Sequence, residues 1–392
     1  MENVVVTGVG VTCCLGSGVD ALWSGMTVAD GLPRPVGDPH ARFPVRHYYL
    51  VDDTDVPPAP ASVGGLRLGR ASRLGVATAR QAVADAGLTV ARRSGAAVLV
   101  ATAMGDSGLH EDRRADPVER PYASVYQASA AIAADLGTTG PATVVGNACA
   151  GSGYALALAA DLIRAGEADV VLAGGTEAYT RVALAAFNRM GAADPDRCRP
   201  FEKDRRGTVF GEGAAVLVLE SERHARARSA PIRARLIGAG LSCDGHHITA
   251  PDPDGEQIRR AMLAALAEGG ATPADVGAVV PHGTGTELND VVESQVLTGL
   301  LADRVSTVPL FSLKALVGHT GGAAAGLAAV AATLILDRGK VPANRPLARQ
   351  DERCAVWLPQ SGPADLAGDT ALVNAYGFGG NNVSLLFERV AA

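Results

Sequence analysis

One cysteine and two histidines stand where a folded chain could bring a nucleophile and two imidazoles together. Cys149 follows a short apolar run at 143–145 and precedes a segment rich in alanine and leucine, which predicts a strand, a sharp elbow and a helix. A cysteine at the start of a helix lies in the positive potential of unpaired N–H groups, which favours the thiolate. The alternative is a buried, inert thiol, the common fate of a lone cysteine.

The two histidines also stand at turns. His282 ends a predicted strand at 278–281, and His319 directly precedes an apolar segment, 321–336, that predicts a buried helix. α/β proteins place ligands at strand ends, although either histidine alone could be a hydrogen-bonded structural residue. Together with the cysteine they form the pattern of an activated nucleophile. The helix after His319 disfavours imidazolium, so we expect neutral rings that donate to a carbonyl oxygen and stabilise an enolate.

The elements that must position these residues alternate between strand and helix. The predicted strands are 2–8, 96–103, 143–145, 169–175, 214–220, 232–239, 278–281, 310–312, 371–374 and 383–387. The predicted helices are 17–26, with Ser17 as N-cap, 68–87, 125–136, 256–269 and 321–336, with one more running from Cys149 towards Gly166. Residues 28–64 and 109–122 predict surface loops, the latter a possible lid. The pattern predicts an α/β fold of two related halves, 1–228 with the cysteine and 229–392 with both histidines, divided at a polar connector, 221–229.

Composition excludes several classes of protein. The 392 residues, 47% hydrophobic, are enough for a large core, and the net charge of −6 argues against a general nucleic-acid binder. Six cysteines without C-x-x-C spacing disfavour a metal site and a disulfide framework, so a reducing cytoplasm is the expected compartment. The first residues carry no basic signal region, and 321–336 is shorter than the roughly 20 residues of a membrane span.

Four motifs carry a resemblance that spans essentially the whole chain. They are NACAGS around Cys149, PHGTGTELND at His282, SLKALVGH ending at His319, and NAYGFGGNN near the C-terminus. In this order they resemble the β-ketoacyl-acyl carrier protein synthases, the condensing enzymes (ketosynthases) of type II fatty-acid and polyketide synthesis. The resemblance implies a thiolase-like αβαβα five-layer sandwich of two related halves, usually dimeric.

The resemblance also implies a role for each motif residue. Cys149 would accept the acyl chain, while His282 and His319 would polarise a malonyl thioester and promote its decarboxylation. Lys314 would orient the histidines through a hydrogen-bond network, with Glu293 as its acidic partner. No metal or redox cofactor is implied, since the substrates arrive on the phosphopantetheine arm of acyl carrier protein.

Other positions are assigned by the same resemblance. Backbone N–H groups of Cys149 and Phe378 would form the oxyanion hole, with Phe378 also gating the nucleophile. Thr284 and Thr286 would hydrogen-bond the phosphopantetheine arm, or else simply cap their loop. Met104, at the end of a predicted strand, is a candidate for the floor of the acyl pocket, although an ordinary core methionine is the competing interpretation.

The expected partners are an acyl carrier protein and a second subunit. An acidic carrier protein needs a basic surface, and six cations cluster in two stretches of sequence. These candidates are Arg67, Arg70, Arg73, Lys203, Arg205 and Arg206. A solvated charged face is the alternative. The second subunit would be either another copy of this chain or a chain-length-factor homologue, with no nucleic acid and no membrane involved.

Departures from the family pattern bear on the pathway. Gly151 and Gly153 stand where relatives often carry bulkier residues, which predicts a more open elbow, and Tyr376 stands where phenylalanine is frequent. The departures favour a type II polyketide or polyene pathway over fatty-acid synthesis, and both stay open. A ketosynthase-like acyltransferase, a thiolase and a non-catalytic chain-length factor are further alternatives. The intact histidines and lysine disfavour the acyltransferase, and the lack of a second motif cysteine disfavours the thiolase. The retained Cys149 disfavours the chain-length factor.

Overall fold

The computed structural model describes residues 2–111 and 124–390, and there strands and helices alternate through both halves. The long strands are β1 Val4–Cys13, β2 Ala97–Ala101, β3 Ala142–Val145, β4 Val170–Glu177, β5 Gly213–Ser221, β6 Ala234–Cys243, β7 Val276–Val280, β8 Thr370–Gly377 and β9 Asn381–Arg389. The helices of six residues or more are α1 Val19–Val28, α2 Arg70–Asp85, α3 Gln127–Leu136, α4 Gly151–Arg164, α5 Arg181–Met190, α6 Glu222–Ala227, α7 Glu256–Glu268, α8 Glu287–Leu301 and α9 Ala324–Arg338.

The nine strands lie in the order β7-β8-β9-β6-β1-β5-β4-β2-β3. The pairs β7/β8, β2/β3 and β2/β4 are parallel, and the remaining pairs are antiparallel. Strands β1 to β5 form one half of this sheet and β6 to β9 the other. Among the described strands, the two halves of the sheet are joined where β1 and β6 pair over two residues, Val5 with Arg235 and Val6 with Ala234. Because this pairing is so short, the two halves of the sheet can lie in separate layers.

Helices α4 and α9 form the middle layer, because each contacts strands from both halves of the sheet. Helices α2 and α3 cover the outer side of the first half, while α7 covers the second half and contacts α8. The layer order is therefore helix, sheet, helix, sheet, helix, which confirms the predicted five-layer sandwich.

The sequence of α9 explains its central position. Every residue from Ala324 to Leu336 is buried, as expected for a helix that is apolar on all faces. The segment Gly321–Arg338 has the length and hydropathy of a membrane-crossing helix, but 89% of that window is buried inside the protein. The prediction of a buried helix is confirmed.

Several local predictions need correction. The polar connector at 221–229 contains α6, whose first turn is capped by the Ser221 side chain accepting from His224 N. The strand predicted at 310–312 is a single bridge between Leu310 and Val279. Helix α1 begins after Gly18 rather than Ser17, because the Ser17 hydroxyl accepts from Gln81 instead of capping the helix. Helices α5 and α8 were not predicted.

The predicted lid at 109–122 lies mostly outside the described residues. Its described beginning belongs to a single helical turn, Gly108–Glu111. The Glu111 carboxylate accepts from the main-chain N–H groups of Arg181 and Val182, and so caps the start of α5.

Candidate active site

Cys149 lies on a strained elbow. It occupies the 3-10 turn Ala148–Ala150 between β3 and α4, and Ala148 has φ 46°, a left-handed conformation that residues other than glycine seldom adopt. The backbone of Gly377 packs directly against this turn, since a Cβ there would lie 3.2 Å from Cys149 N. The elbow is therefore fixed by its own backbone and by the end of β8.

The elbow is not more open, which corrects that expectation. A Cβ added at Gly153 would lie 2.5 Å from Val383 Cγ1, and one added at Gly151 would lie 2.9 Å from Ala101 Cβ. The room that a larger residue would need is already filled by neighbouring strands. The two glycines allow α4 to pack closely rather than widening the site.

Burial favours the thiol form of Cys149, contrary to the predicted thiolate. Burial raises the pKa of Cys149 to about 11, the charge of Lys314 lowers it, and the charge of Glu177 raises it. The backbone N–H groups of Phe378 and Cys149 itself also favour the anion. Both predicted oxyanion-hole donors therefore lie beside the thiol, but burial outweighs them.

His282 is held by its main chain. Its N–H and that of Gly283 donate to the two carboxylate oxygens of Glu293, both at 2.8 Å. The Lys314 ammonium donates to His282 O at 2.5 Å and lies 3.5 Å from its Nδ1. Lys314 and Glu293 both contact His282, and their opposite charges interact, although no direct ion pair joins them within the described ranges; the assignment of Glu293 as the acidic partner of Lys314 stays a prediction. An ammonium facing Nδ1 favours the tautomer with its proton on Nε2.

The two imidazoles face each other nearly at right angles, with centroids 5.6 Å apart and planes at 87°. The His319 ring stacks on Phe210 with centroids 5.7 Å apart, and the main-chain N–H of His319 donates to Val209 O. Burial lowers the pKa of both rings well below its usual range, and the charge of Lys314 lowers it further. The expectation of neutral imidazoles agrees with these shifts, although the main cause is burial rather than the following helix.

The loop after His282 is tied down by a buried carboxylate. Asp290 accepts from the main-chain N–H groups of Thr284, Gly285 and Phe201. The hydroxyls of Thr284 and Thr286 are 2.8 Å apart. Both threonines border the same cavity as the cysteine and the histidines.

This cavity has a volume of about 640 Å³ and is bordered by Cys149, both histidines and Phe378. The Phe378 ring stacks on Phe187 with centroids 5.5 Å apart and planes at 7°. Sequence reasoning missed Phe187 because α5 was not predicted. Met104 is not among the residues that border the cavity; it packs in a hydrophobic cluster with Phe210 and with Phe187, which does border it. Its assignment to an acyl pocket stays a prediction.

Tyr376 is a second cavity residue whose position the sequence did not reveal. Its ring lies 5.2 Å from the His282 ring, and its buried hydroxyl interacts with the Glu293 carboxylate without reaching the geometry of a well-aligned hydrogen bond. Burial, followed by the charge of Glu293 and the hydrogen bonding to its carboxylate, raises the pKa of this phenol well above its usual range. Tyr376 is thus a neutral phenol beside the His282 imidazole.

Arg205 cannot belong to a docking surface, which corrects that prediction. Its side chain is 1% exposed and forms ion pairs with Asp351 at 2.7 Å and Asp290 at 3.4 Å. It also donates to the main-chain oxygens of Thr286 and Glu287. Arg205 therefore braces the loop beside the cavity.

The other docking candidates divide into two groups. Arg70 and Lys203 have carboxylates within 2.8 Å, so their charges are largely neutralised inside the chain. Arg67, Arg73 and Arg206 are exposed, and no carboxylate in the described ranges lies within 4 Å of them. Of these three, only Arg206 borders the cavity that Cys149 and the two histidines line. Within residues 2–111 and 124–390 no cluster of metal-ligating side chains is present.

Two family models match this chain. Residues 1–225 match the N-terminal domain of beta-ketoacyl synthase and residues 233–348 match its C-terminal domain. The chain therefore belongs to the β-ketoacyl synthase family. Within it, the chain is a ketosynthase of the β-ketoacyl-acyl carrier protein synthase type, an enzyme of the acyltransferase class. The predicted division between residues 228 and 229 falls between the two matches and stays a prediction.

Named relatives cover the full length. The chain is 33% identical to 3-oxoacyl-[acyl-carrier-protein] synthase 2 of Synechocystis, over 99% of this chain and 98% of that protein. It is 32% identical to nodulation protein E of Rhizobium sp. (strain N33), over 99% and 100%. Among solved structures, it is similar to the ishigamide ketosynthase/chain length factor, with a TM-score of 0.91 and 34% identity over all of both chains. The likeness therefore spans both halves of the chain.

Proposed function

We propose that this chain transfers an acyl group to Cys149 and extends it by decarboxylative Claisen condensation with malonyl-acyl carrier protein. The observation that carries the proposal is the convergence of four features on one cavity. These are the Cys149 thiol, the oxyanion-hole N–H groups beside it, and the imidazoles of His282 and His319. The cavity thus joins a nucleophile with two donors for a developing enolate.

In the first step Cys149 attacks the incoming thioester. The thiol loses its proton as sulfur bonds to the carbonyl carbon, and the backbone N–H groups of Cys149 and Phe378 hold the oxyanion. Collapse releases the thiol of the phosphopantetheine arm and leaves an acyl thioester on Cys149. Lys314 favours this step because its charge lowers the pKa of the thiol.

In the second step the malonyl group loses CO2. The electrons of the broken bond form an enolate, whose oxygen accepts hydrogen bonds from the neutral rings of His282 and His319. The enolate carbon attacks the acyl-Cys149 carbonyl, the sulfur leaves as thiolate, and one proton restores the thiol. One oxyanion donor is typically worth about 10²–10³ in rate, so two imidazoles form a substantial part of the catalytic effect. Neither step needs a metal or a redox cofactor.

The pathway we propose is type II polyketide or polyene synthesis, with a chain-length-factor homologue as the second subunit. It is supported by the likeness to a ketosynthase/chain length factor at 34% identity. Fatty-acid synthesis is the second candidate, supported by the Synechocystis relative at 33%. Co-purification with a homologue that lacks the elbow cysteine tests the heterodimer, and a homodimer fully active alone would contradict it.

Substrate preference separates the two pathways. Fatty-acid synthesis reduces each added unit completely, whereas polyketide and polyene chains retain oxygen or double bonds. Saturated, dienoyl and β-ketoacyl thioesters of equal length should therefore be compared as acceptors on the carrier protein. Faster extension of the dienoyl or β-ketoacyl chain supports the polyketide assignment, and exclusive use of the saturated chain supports fatty-acid synthesis.

We further propose that the carrier protein docks on Arg206, with Arg67 and Arg73 as additional contacts. The supporting observations are the exposure of these cations and the position of Arg206 at the cavity. Arg206→Glu should weaken carrier binding and reduce its dependence on salt. Arg223→Glu is the matched control, since Arg223 is exposed but does not border the cavity. Equal affinity in both variants would overturn the docking assignment.

A further inference from the structure

Glu177 is a buried carboxylate to which neither sequence motif nor proposed mechanism gives a role. It ends β4, is 3% exposed, and accepts four hydrogen bonds from two separate elements. Three come from the end of β2, from Thr102 Oγ1 at 3.1 Å, Ala103 N at 2.8 Å and Met104 N at 3.0 Å. The fourth comes from Gly322 N at 2.8 Å, in the turn that follows the second catalytic histidine. The carboxylate therefore links that turn to the sheet.

The two elements are in such close contact that no side chain fits between them. A Cβ added at Gly321, where φ is +51°, would lie 2.6 Å from Glu177 Oε2. One added at Gly322 would lie 2.7 Å from Thr102 Cα. Because the main chains of the two elements are in direct contact here, the hydrogen bonds of Glu177 hold the turn in a fixed position against the sheet.

This turn is one of the supports of His319. Its ring Nδ1 is buried without a hydrogen-bond partner in the described ranges, so no side-chain hydrogen bond at Nδ1 sets the orientation of the imidazole. Its main chain is held directly, since its N–H donates to Val209 O at 2.8 Å and its carbonyl oxygen accepts from Gly211 N at 3.1 Å. Three residues later, the hydrogen bond from Gly322 to Glu177 fixes the turn that leads away from the histidine. Release of that hydrogen bond would let the turn move and would leave the imidazole supported by these two main-chain bonds and by Phe210.

Glu177 also carries a charge beside the nucleophile. Its three main-chain partners can only donate, so an ionised carboxylate fits the site. Burial raises the pKa of Glu177 overall, and these donors oppose the shift without cancelling it. The charge of Glu177 in turn raises the pKa of the Cys149 thiol, in opposition to Lys314.

We propose that Glu177 is a positioning residue for condensation, which fixes the turn that carries His319 and holds a negative charge beside Cys149. The inference rests on the proposed function and deepens it. Position and charge have separate consequences. The position of the turn affects His319, which donates to the enolate, and the charge of Glu177 affects the pH at which Cys149 ionises.

Glu177→Gln tests both parts in the full-length protein. The amide keeps the shape, removes the charge, and turns an NH2 group towards donors that need an acceptor. Decarboxylation of malonyl-carrier protein should fall about tenfold to a hundredfold as His319 shifts. Alkylation of Cys149 by iodoacetamide should instead become faster, because loss of the Glu177 charge lowers the pKa of the thiol and moves the pH profile of alkylation to lower pH. A decrease of one unit in that pKa raises the alkylation rate about tenfold at a fixed pH below the pKa.

Two further variants separate the explanations. Gly322→Ala keeps the charge but displaces the turn, so decarboxylation should fall while the alkylation profile stays in place. Glu220→Gln removes another buried carboxylate, paired with Arg228, and should lower stability without moving the alkylation profile. A Glu177→Gln protein in which both rates are unchanged, or fall together with the melting temperature, would overturn the proposal. Alkylation needs no condensation, so a wild-type protein that fails to decarboxylate would refute the proposed function while the charge effect stays testable.

Discussion

Glu293 should make the stability of this protein fall as the pH rises towards neutrality. Its carboxyl group is fully buried, and burial raises its pKa to about 7 from an ordinary value of 4.5. The N–H groups of Gly283 and His282 oppose the shift without cancelling it. Between these two pH values the folded protein holds a proton that the unfolded chain has released.

The magnitude follows from linkage between proton binding and folding. A gap of about 2.5 pH units, at about 1.36 kcal/mol each, amounts to about 3 kcal/mol. Because the folded-state pKa is raised, this contribution is complete below pH 4.5 and is lost as the pH rises through 7. Glu293→Gln has no carboxyl group to titrate at this position, so its free energy of unfolding lacks this dependence on pH. The stability advantage of wild type over the variant should therefore shrink by about 3 kcal/mol between pH 4.5 and pH 8.

Urea unfolding of both proteins across that range measures the difference, and all other titrating groups cancel between them. Glu220→Gln supplies a control of opposite sign. Burial raises the pKa of Glu220, but hydrogen bonds from Arg228 and its other partners outweigh burial and lower it overall. The wild-type advantage over that variant should grow as the pH rises towards 4.5, the ordinary value, and stay nearly level from there to pH 8. A wild-type advantage over Glu293→Gln that is constant with pH would refute the account, since it would mean that Glu293 is ionised throughout.

Three other substitutions test the packing and charge of the site. Tyr376→Phe removes a buried hydroxyl whose interaction with the Glu293 carboxylate is poorly aligned, so the free energy of unfolding should change by no more than about 1 kcal/mol in urea titrations; a larger loss would show that the hydrogen bond is well formed. Gly153→Ala places a Cβ against Val383 and should lower stability by about 1–3 kcal/mol; adding Val383→Ala should restore part of it, and full additivity of the two losses would contradict the contact. Lys314→Met removes the cation that lowers the pKa of Cys149, so the alkylation profile should move to higher pH; an unchanged profile would exclude the lysine from the electrostatics of the thiol.

The sequence predicted the parts of the site that depend on local order. Each of the three site residues borders an apolar run: Cys149 follows β3, His282 follows β7 and His319 precedes α9. The patterns of these three elements are enough to place a turn beside each residue. The five-layer architecture followed from the family resemblance, and the uniformly apolar α9 could only be central. These features depend on residues close together in the chain.

The predictions that failed depend on packing between distant segments. The charge state of Cys149 is set by burial, which outweighs the helix start that the sequence shows. Arg205 looked like a surface cation, yet its partner Asp351 lies almost 150 positions away. Gly153 suggested open space that Val383, from the last strand, fills. Glu177 was missed because its partners come from two elements far apart in sequence.

Intact-protein mass spectrometry of Cys149 tests the central claim most directly. Wild type and Cys149→Ala should be incubated with an acyl-carrier thioester and then with malonyl-carrier protein. The account predicts an acyl adduct on wild type alone, discharged by malonyl-carrier protein as a β-ketoacyl chain two carbons longer with release of CO2. An adduct that is also present on Cys149→Ala, or no adduct across a range of acyl lengths, would contradict the assignment of the nucleophile.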